Sequence, residues 1–262
     1  MKISVIVATY DNPCALEKSL EGFLRQTRPP DEIITADDGS GARTRELIAG
    51  FAAKASFPIL HIWQENAGFR AAKIRNEAIK KTLADYIILM DGDCVPNKHF
   101  ISDHLDMSEQ GFFVQGKRIL LARKASGNFS AENSDSIPYL LGLALKGRMS
   151  NTHHILRMPW FPDFKNTKLN GIKSCNMGFF KKDFLAVNGF NEDFTGWGRE
   201  DSELAVRFFK YGLKKKFHPF RTICFHLWHE HLSRKELDRN DKLLEQSLKS
   251  GSCVCRNGIQ KL

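Results

Sequence analysis

The sequence predicts an α/β fold, a single Rossmann-like, mostly parallel central sheet flanked by helices. Three observations predict it. Short continuous apolar runs alternate with stretches of helical periodicity from the start of the chain to Pro96. Turn residues separate them, and the alternation strand, helix, strand, helix is that of parallel sheets covered by helices. Several runs also end in acidic or hydroxyl residues, and in such sheets ligands bind beyond the carboxyl ends of the strands.

The first run, "KISVIVATY", is rich in Ile and Val, the pattern of a strand buried on both faces. After "DNP", the segment "CALEKSLEGFLRQT" places Leu16, Leu20, Phe23 and Leu24 at helical spacing until "RPPDE" breaks it. "EIITADDGS" reads as a second strand, "RTRELIAGFAAKA" as a second helix and "PILHIWQ" as a third strand. "NAGFRAAKIRNEAIKKT" opens with a glycine and continues as a helix, and "YIILMDGD" is the fourth strand. "GFFVQGKRILLA" predicts one or two more strands, followed by a long, poorly periodic, basic and aromatic region over residues 124–172. Its "IPYLLGLALKG" reads either as an amphipathic helix on the sheet or as a surface that rests on a membrane. "EDSELAVRFFKYG" is a helix with acids at its N-terminus and a glycine stop. A strand ending at His226 and a polar amphipathic helix docked outside complete the pattern.

With 262 residues, 42% of them hydrophobic, the chain buries a sizeable core, expected as one domain over 1–262. No run approaches the roughly 20 apolar residues that span a bilayer. The expectation is a protein that starts folding at Met1, in the cytoplasm, soluble or peripheral at the inner membrane. Six cysteines at 14, 94, 175, 224, 253 and 255 show neither CxxC pairs nor a disulfide framework. Cys253 and Cys255 read as free thiols on a frayed tail. The net charge of +9 suits nucleotides or anionic surfaces. No nucleic-acid-binding signature accompanies it.

The chemistry concentrates in "YIILMDGDCVP", where Asp91 and Asp93 follow an apolar strand. Two carboxylates at i and i+2 repel each other unless a divalent cation lies between them, and a glycine lets such a loop turn tightly. An Asp-x-Asp alone is common in solvated loops; at a strand end facing Thr9 and the Asp37–Asp38 pair it points to a metal and a phosphorylated ligand.

"VIVATYDNP", "ADDGS", "NAGFRAAKIRN", "ILMDGDCVP" and "GWGREDSELAVRF" together resemble family 2 glycosyltransferases of the GT-A fold, the last motif resembling a galactosyltransferase-like C-terminal region. The resemblance runs in register to about His231, and is greatest to bacterial enzymes of lipopolysaccharide, O-antigen and capsule synthesis. It implies a nucleotide-sugar-binding half over 1–120, an acceptor and catalytic half over 121–231, and a C-terminal helix and tail over 232–262. By position, Thr9, Asp11, Asp37 and Asp38 would hold base and ribose, Asp11 standing where the family more often has asparagine. Arg70 and Lys73 would face nucleotide and diphosphate as charge-assisted donors, and Arg75 and Asn76 match the same pattern. Asp91 and Asp93 would bind ribose and Mn²⁺ or Mg²⁺, with Asp93 the more direct ligand. His226 would be the third ligand, with His229 and His231 as substitutes; histidine favours Mn²⁺. Asp201 would be the base, Glu200 would bind acceptor or donor sugar, and Trp197, with Gly196 and Gly198 keeping its loop mobile, would stack on the acceptor.

The implied activity is inverting transfer of a hexose or N-acetylhexosamine from a UDP-sugar to a glycan or lipid-linked acceptor. A nucleotidyltransferase shares the sheet and metal, but would carry a glycine-rich basic loop where this chain has "ATYDNPCALEK". A non-catalytic module binding nucleotide-sugar or anionic membrane has no use for a base at Asp201.

Overall fold

The computed structural model describes residues 1–230 and 233–262; His231 lies outside the described residues. The chain forms β1 (Ile3–Thr9), α1 (Pro13–Leu24), β2 (Glu32–Asp37), α2 (Ala42–Ala52), β3 (Ile59–Trp63), α3 (Ala71–Lys81) and β4 (Tyr86–Asp91), the predicted alternation. β5 (Cys94–Pro96), α4 (Phe100–Met107), β6 (Phe112–Gln115), β7 (Lys117–Leu121), α5 (Arg123–Asn128), α6 (Ile137–Leu145), β8 (Met149–Ser150) and β9 (Phe164–Asn166) follow. Then come β10 (Asn176–Phe180), α7 (Lys181–Ala186), α8 (Glu200–Tyr211), β11 (Lys214–Phe217), β12 (Ile223–His226) and α9 (Leu237–Lys249).

The eight-stranded sheet has the order β3-β2-β1-β4-β10-β6-β11-β9. Its first four strands are parallel, as the apolar runs required. Beyond β4 it becomes mixed: β10 runs antiparallel to both β4 and β6. Alternate residues of β1 feed the two faces, Val5 and Val7 packing with Leu16, Leu20 and Phe23 of α1, and Ile6 with Ala72, Ile79, Leu204 and Phe208. A second sheet, β5-β12-β7-β8, has its own apolar cluster around Phe129, Leu140 and Phe225. The sequence did not announce it, because its strands are two to five residues long and come from distant segments.

One sequence reading is sharpened and one is revised. "GFFVQGKRILLA" is two strands in different sheets, divided at Gly116, where an added Cβ would lie 2.0 Å from the Asn176 side chain. The tail is not frayed: Cys255 is buried, and the Asn188 amide donates to the carbonyls of Cys255 and Gln260 at 2.8 and 2.9 Å. α9 docks on the outside of α8 as expected. Among the described residues no helix is long and apolar enough to cross a membrane.

Candidate active site

The carboxyl ends of β1, β2 and β4 bring Thr9, Asp38 and Asp91 side by side. The Asp38 N–H donates to the Thr9 carbonyl at 3.0 Å, and Gly92 N–H to Ala8 at 2.7 Å. A Cβ on Gly92 would meet the Ala8 carbonyl at 3.1 Å, so a side chain there would push this turn slightly away from β1. Asp11 takes a φ of 42°, which asparagine and aspartate tolerate best among non-glycine residues, and its N–H donates to Ser40 Oγ.

The two aspartates after β2 divide their work. Asp37 is fully buried, accepts from the Ser40 N–H at 2.8 Å and lies 2.8 Å from His61 Nε2. Burial pushes its carboxyl up, but the hydrogen bonds from His61 and Ser40 outweigh this and hold it below the usual range. It braces the turn. Asp38 accepts from the Arg70 N–H at 2.6 Å and from the Gln64 amide, and burial raises its pKa. The Arg70 guanidinium donates to the Glu65 carbonyl.

Helix α3 separates its basic residues. Lys73 lies half-buried on the stripe shared with Glu77 and Lys80. Arg75 instead points into the site, fully desolvated, its Nη2 donating to Asp91 Oδ1 at 2.8 Å and its Nη1 to Glu200 Oε1 at 3.3 Å. Asn76 holds the neighbouring loop, bonding Phe190 in both directions at 2.9 Å. Sequence reasoning gave Arg75 less weight than Arg70 and Lys73. The available signal was its place on the apolar face of the helix, four residues from both Ala71 and Ile79.

Asp93 turns the other way. Its Oδ2 lies 3.2 Å from His229 Nε2 and 3.6 Å from His226 Nε2, and ligand atoms of all three residues fall within 4.8 Å of one another. Burial, with Asp91 nearby, raises the Asp93 pKa against the pull of His226. Burial likewise depresses the His226 pKa, which keeps the imidazole neutral with a lone pair to offer. One carboxylate and two imidazoles are a donor set that fits a divalent transition metal such as Mn²⁺. Asp91 stands outside this trio, engaged by Arg75.

At the N-terminus of α8, Asp201 accepts from the Ser202 N–H at 2.6 Å on Oδ1 and from the Ser174 N–H at 3.3 Å on Oδ2. Burial raises its pKa, and burial with the Asp201 charge pushes Glu200 up to about 7. The preceding loop carries Gly196, Arg199 and Gly198 at φ of 71°, 78° and 108°. A Cβ on Gly196 would lie 2.7 Å from Glu236, so this glycine serves close packing as well as a positive φ. The Gly196 N–H donates to the Phe69 carbonyl and the Asn240 amide to those of Thr195 and Gly198, tying the loop to the segment before α3 and to α9. Trp197 is 39% exposed, with the Arg234 guanidinium 5.2 Å from its ring centre.

Residues 4–169 match the sequence model of glycosyl transferase family 2, and residues 157–230 match one described as the N-terminal domain of galactosyltransferase. The chain belongs to glycosyl transferase family 2. Validoxylamine A glucosyltransferase of Streptomyces hygroscopicus subsp. limoneus is 25% identical over 228 residues, 80% of this chain and 48% of that protein. Hyaluronan synthase of Pasteurella multocida is 27% identical over 225 residues, 80% of this chain and 23% of that one. The chain thus spans about half, or less, of these relatives. The structure of S. aureus TarS 1–349 in complex with UDP superposes with a TM-score of 0.65 at 14% identity, over 94% of this chain and 65% of that one. The fold is GT-A.

Proposed function

We propose that this chain is an inverting, metal-dependent glycosyltransferase that moves a hexose or N-acetylhexosamine from a UDP-sugar to a glycan or lipid-linked acceptor in bacterial surface-polysaccharide synthesis. The observation that carries the reading is one cleft with two poles, the Asp93–His226–His229 trio at one and half-buried Asp201 at the other, with Arg75 holding Asp91 and Glu200 between them. Family membership and the TarS complex with UDP support the donor class.

Asp93, His226 and His229 would hold Mn²⁺ or Mg²⁺, which when bound neutralises charge on a departing diphosphate. Thr9, Asp11 and Asp38 would seat the nucleoside, and Arg70 would add positive charge beside it. Asp201 Oδ2, with only the longer hydrogen bond, would take the proton of an acceptor hydroxyl as its oxygen attacks the anomeric carbon. The bond from that carbon to the diphosphate oxygen breaks, UDP leaves with the electron pair, and a single displacement inverts the centre. The raised pKa of Asp201 makes it a stronger base than an exposed aspartate. Trp197 would offer an apolar face to the acceptor ring. Ile137, Leu141 and Leu145, exposed at intervals of four along α6, support contact with a lipid-linked acceptor or a membrane surface.

The test is UDP release from a panel of UDP-sugars with Mn²⁺, with and without EDTA, on wild type, Asp93→Ala and Asp201→Ala. Mn²⁺-dependent release from one donor, lost in both variants, is the expected result. Full turnover in excess EDTA, or in Asp201→Ala, would overturn it.

A further inference from the structure

In the sheet order β2-β1-β4-β10-β6, the end of β4 has two flanks. Thr9 and Asp38 stand on the β1 and β2 side. On the other side, where β10 begins and β6 ends, lies a cavity of about 450 Å³. Ligand pockets run from roughly 300 to 1,000 Å³. Lys117, Arg118 and Lys173 line it with His153 and His154, and its described lining contains no carboxylate.

Among the described residues none of the three cations forms an ion pair. Arg118 Nη1 lies 3.6 Å from the Cys175 sulfur, and Lys117 Nζ sits 4.4 Å above the Phe217 ring. Burial depresses the Lys117 pKa with no anion to offset it. Three like charges around one cavity repel each other, and an anionic ligand relieves that cost.

The cavity is joined to both poles of the cleft. Lys173 precedes Ser174, whose N–H donates to Asp201. Leu120, also in the lining, pairs in register with His226. A group seated here lies beside the base, opposite the nucleoside residues.

We propose that this cavity is an anion subsite that seats a phosphate group of the acceptor, next to the hydroxyl that Asp201 deprotonates. The assignment to the acceptor rests on the transferase reading above. Phosphate is favoured over carboxylate because its charge near −2 and its three acceptor oxygens match three cations from separate segments, whereas a carboxylate brings one charge.

The experiment is calorimetric binding of glucose 6-phosphate to the full chain, saturated with UDP and Mn²⁺ so that the donor cleft is filled. Glycerophosphoglycerol serves as the phosphodiester, and glucuronate and glucose as controls. Glucose 6-phosphate should bind wild type more tightly than the singly charged phosphodiester or glucuronate, and bind Lys117→Gln/Lys173→Gln about tenfold or more weakly, with UDP affinity unchanged. Lys117→Arg should retain binding. Equal affinity in wild type and the double variant, or equal binding of glucose and the esters, would overturn the subsite. Should the double variant fail to fold, acetylation of wild type by an N-hydroxysuccinimide ester, read by mass spectrometry, decides. The bound ester should slow labelling of Lys117 and Lys173 but not of exposed Lys242; uniform labelling overturns the proposal. Absence of UDP binding would count against the transferase reading alone, since the labelling still reports on the cavity.

Discussion

Nε2 of His229 lies 3.2 Å from Oδ2 of Asp93, bringing the segment after β12 against the turn after β4. With His226 beside them, the expected outcome is that Asp93→Asn, His226→Ala and His229→Ala each weaken Mn²⁺ binding by more than the roughly 10- to 100-fold that loss of an outer partner costs. Titration of Mn²⁺ by calorimetry or electron paramagnetic resonance checks this. Wild-type affinity in all three variants would remove the metal site.

Arg75 is a positioning residue, holding Asp91 and Glu200 by separate nitrogens. Arg75→Met should lower kcat/KM by about 100-fold, the order lost when a preorganised donor is removed from an active site. Arg75→Lys should not restore it, because one ammonium cannot reproduce a planar fork between two carboxylates. Steady-state kinetics on both variants, with melting temperatures as control, tests this.

The pH profile follows from the raised carboxyls. A base works only when deprotonated, so on the proposed role of Asp201 as base its raised pKa should move the acid limb of kcat/KM to higher pH than an ordinary aspartate gives. Glu200, pushed up to about 7, adds a second group that gains its proton as pH falls through neutrality. Activity should therefore decline below about pH 7, and a limb confined to pH 4 would contradict it. Asp201→Asn should cost roughly 10²–10⁴-fold on the plateau above the acid limb, and progressively less as falling pH protonates Asp201 in the wild type.

Stability should depend on a buried ion pair within α8. Arg207 and Glu203, both 2% exposed, meet through Nε–Oε1 at 2.8 Å and Nη2–Oε2 at 2.6 Å. Glu203→Ala leaves the guanidinium buried without its partner and should destabilise the protein by about 3–5 kcal/mol. Replacing both, as Glu203→Leu with Arg207→Met, should cost much less. Urea unfolding of the three proteins measures the difference.

The parallel half of the sheet was legible because buried parallel strands are continuous apolar runs, and the acids at their ends marked the cleft. The second sheet was not, since a three-residue strand such as Cys94–Pro96 carries no periodicity and is defined by partners far along the chain. Asp91 and Asp93 were legible as a pair but not in their division: Arg75 claims one and two histidines the other. Which of Lys73 and Arg75 enters the site depends on the face α3 turns to the sheet. Cys255 looked like a loose end because its anchor, the Asn188 side chain, is a distant surface-type residue held at a φ of 65°.

The insertion of β10 between β4 and β6 has a consequence for the nascent chain. β1 to β4 can pair as they emerge from the ribosome, yet β4 keeps a bare hydrogen-bonding edge until Phe180 has been made. At about 5–20 residues per second that interval lasts several seconds. During it, Ile87, Leu89 and their neighbours form an adhesive strand edge, which makes translation speed between Pro96 and Phe180 a determinant of soluble yield.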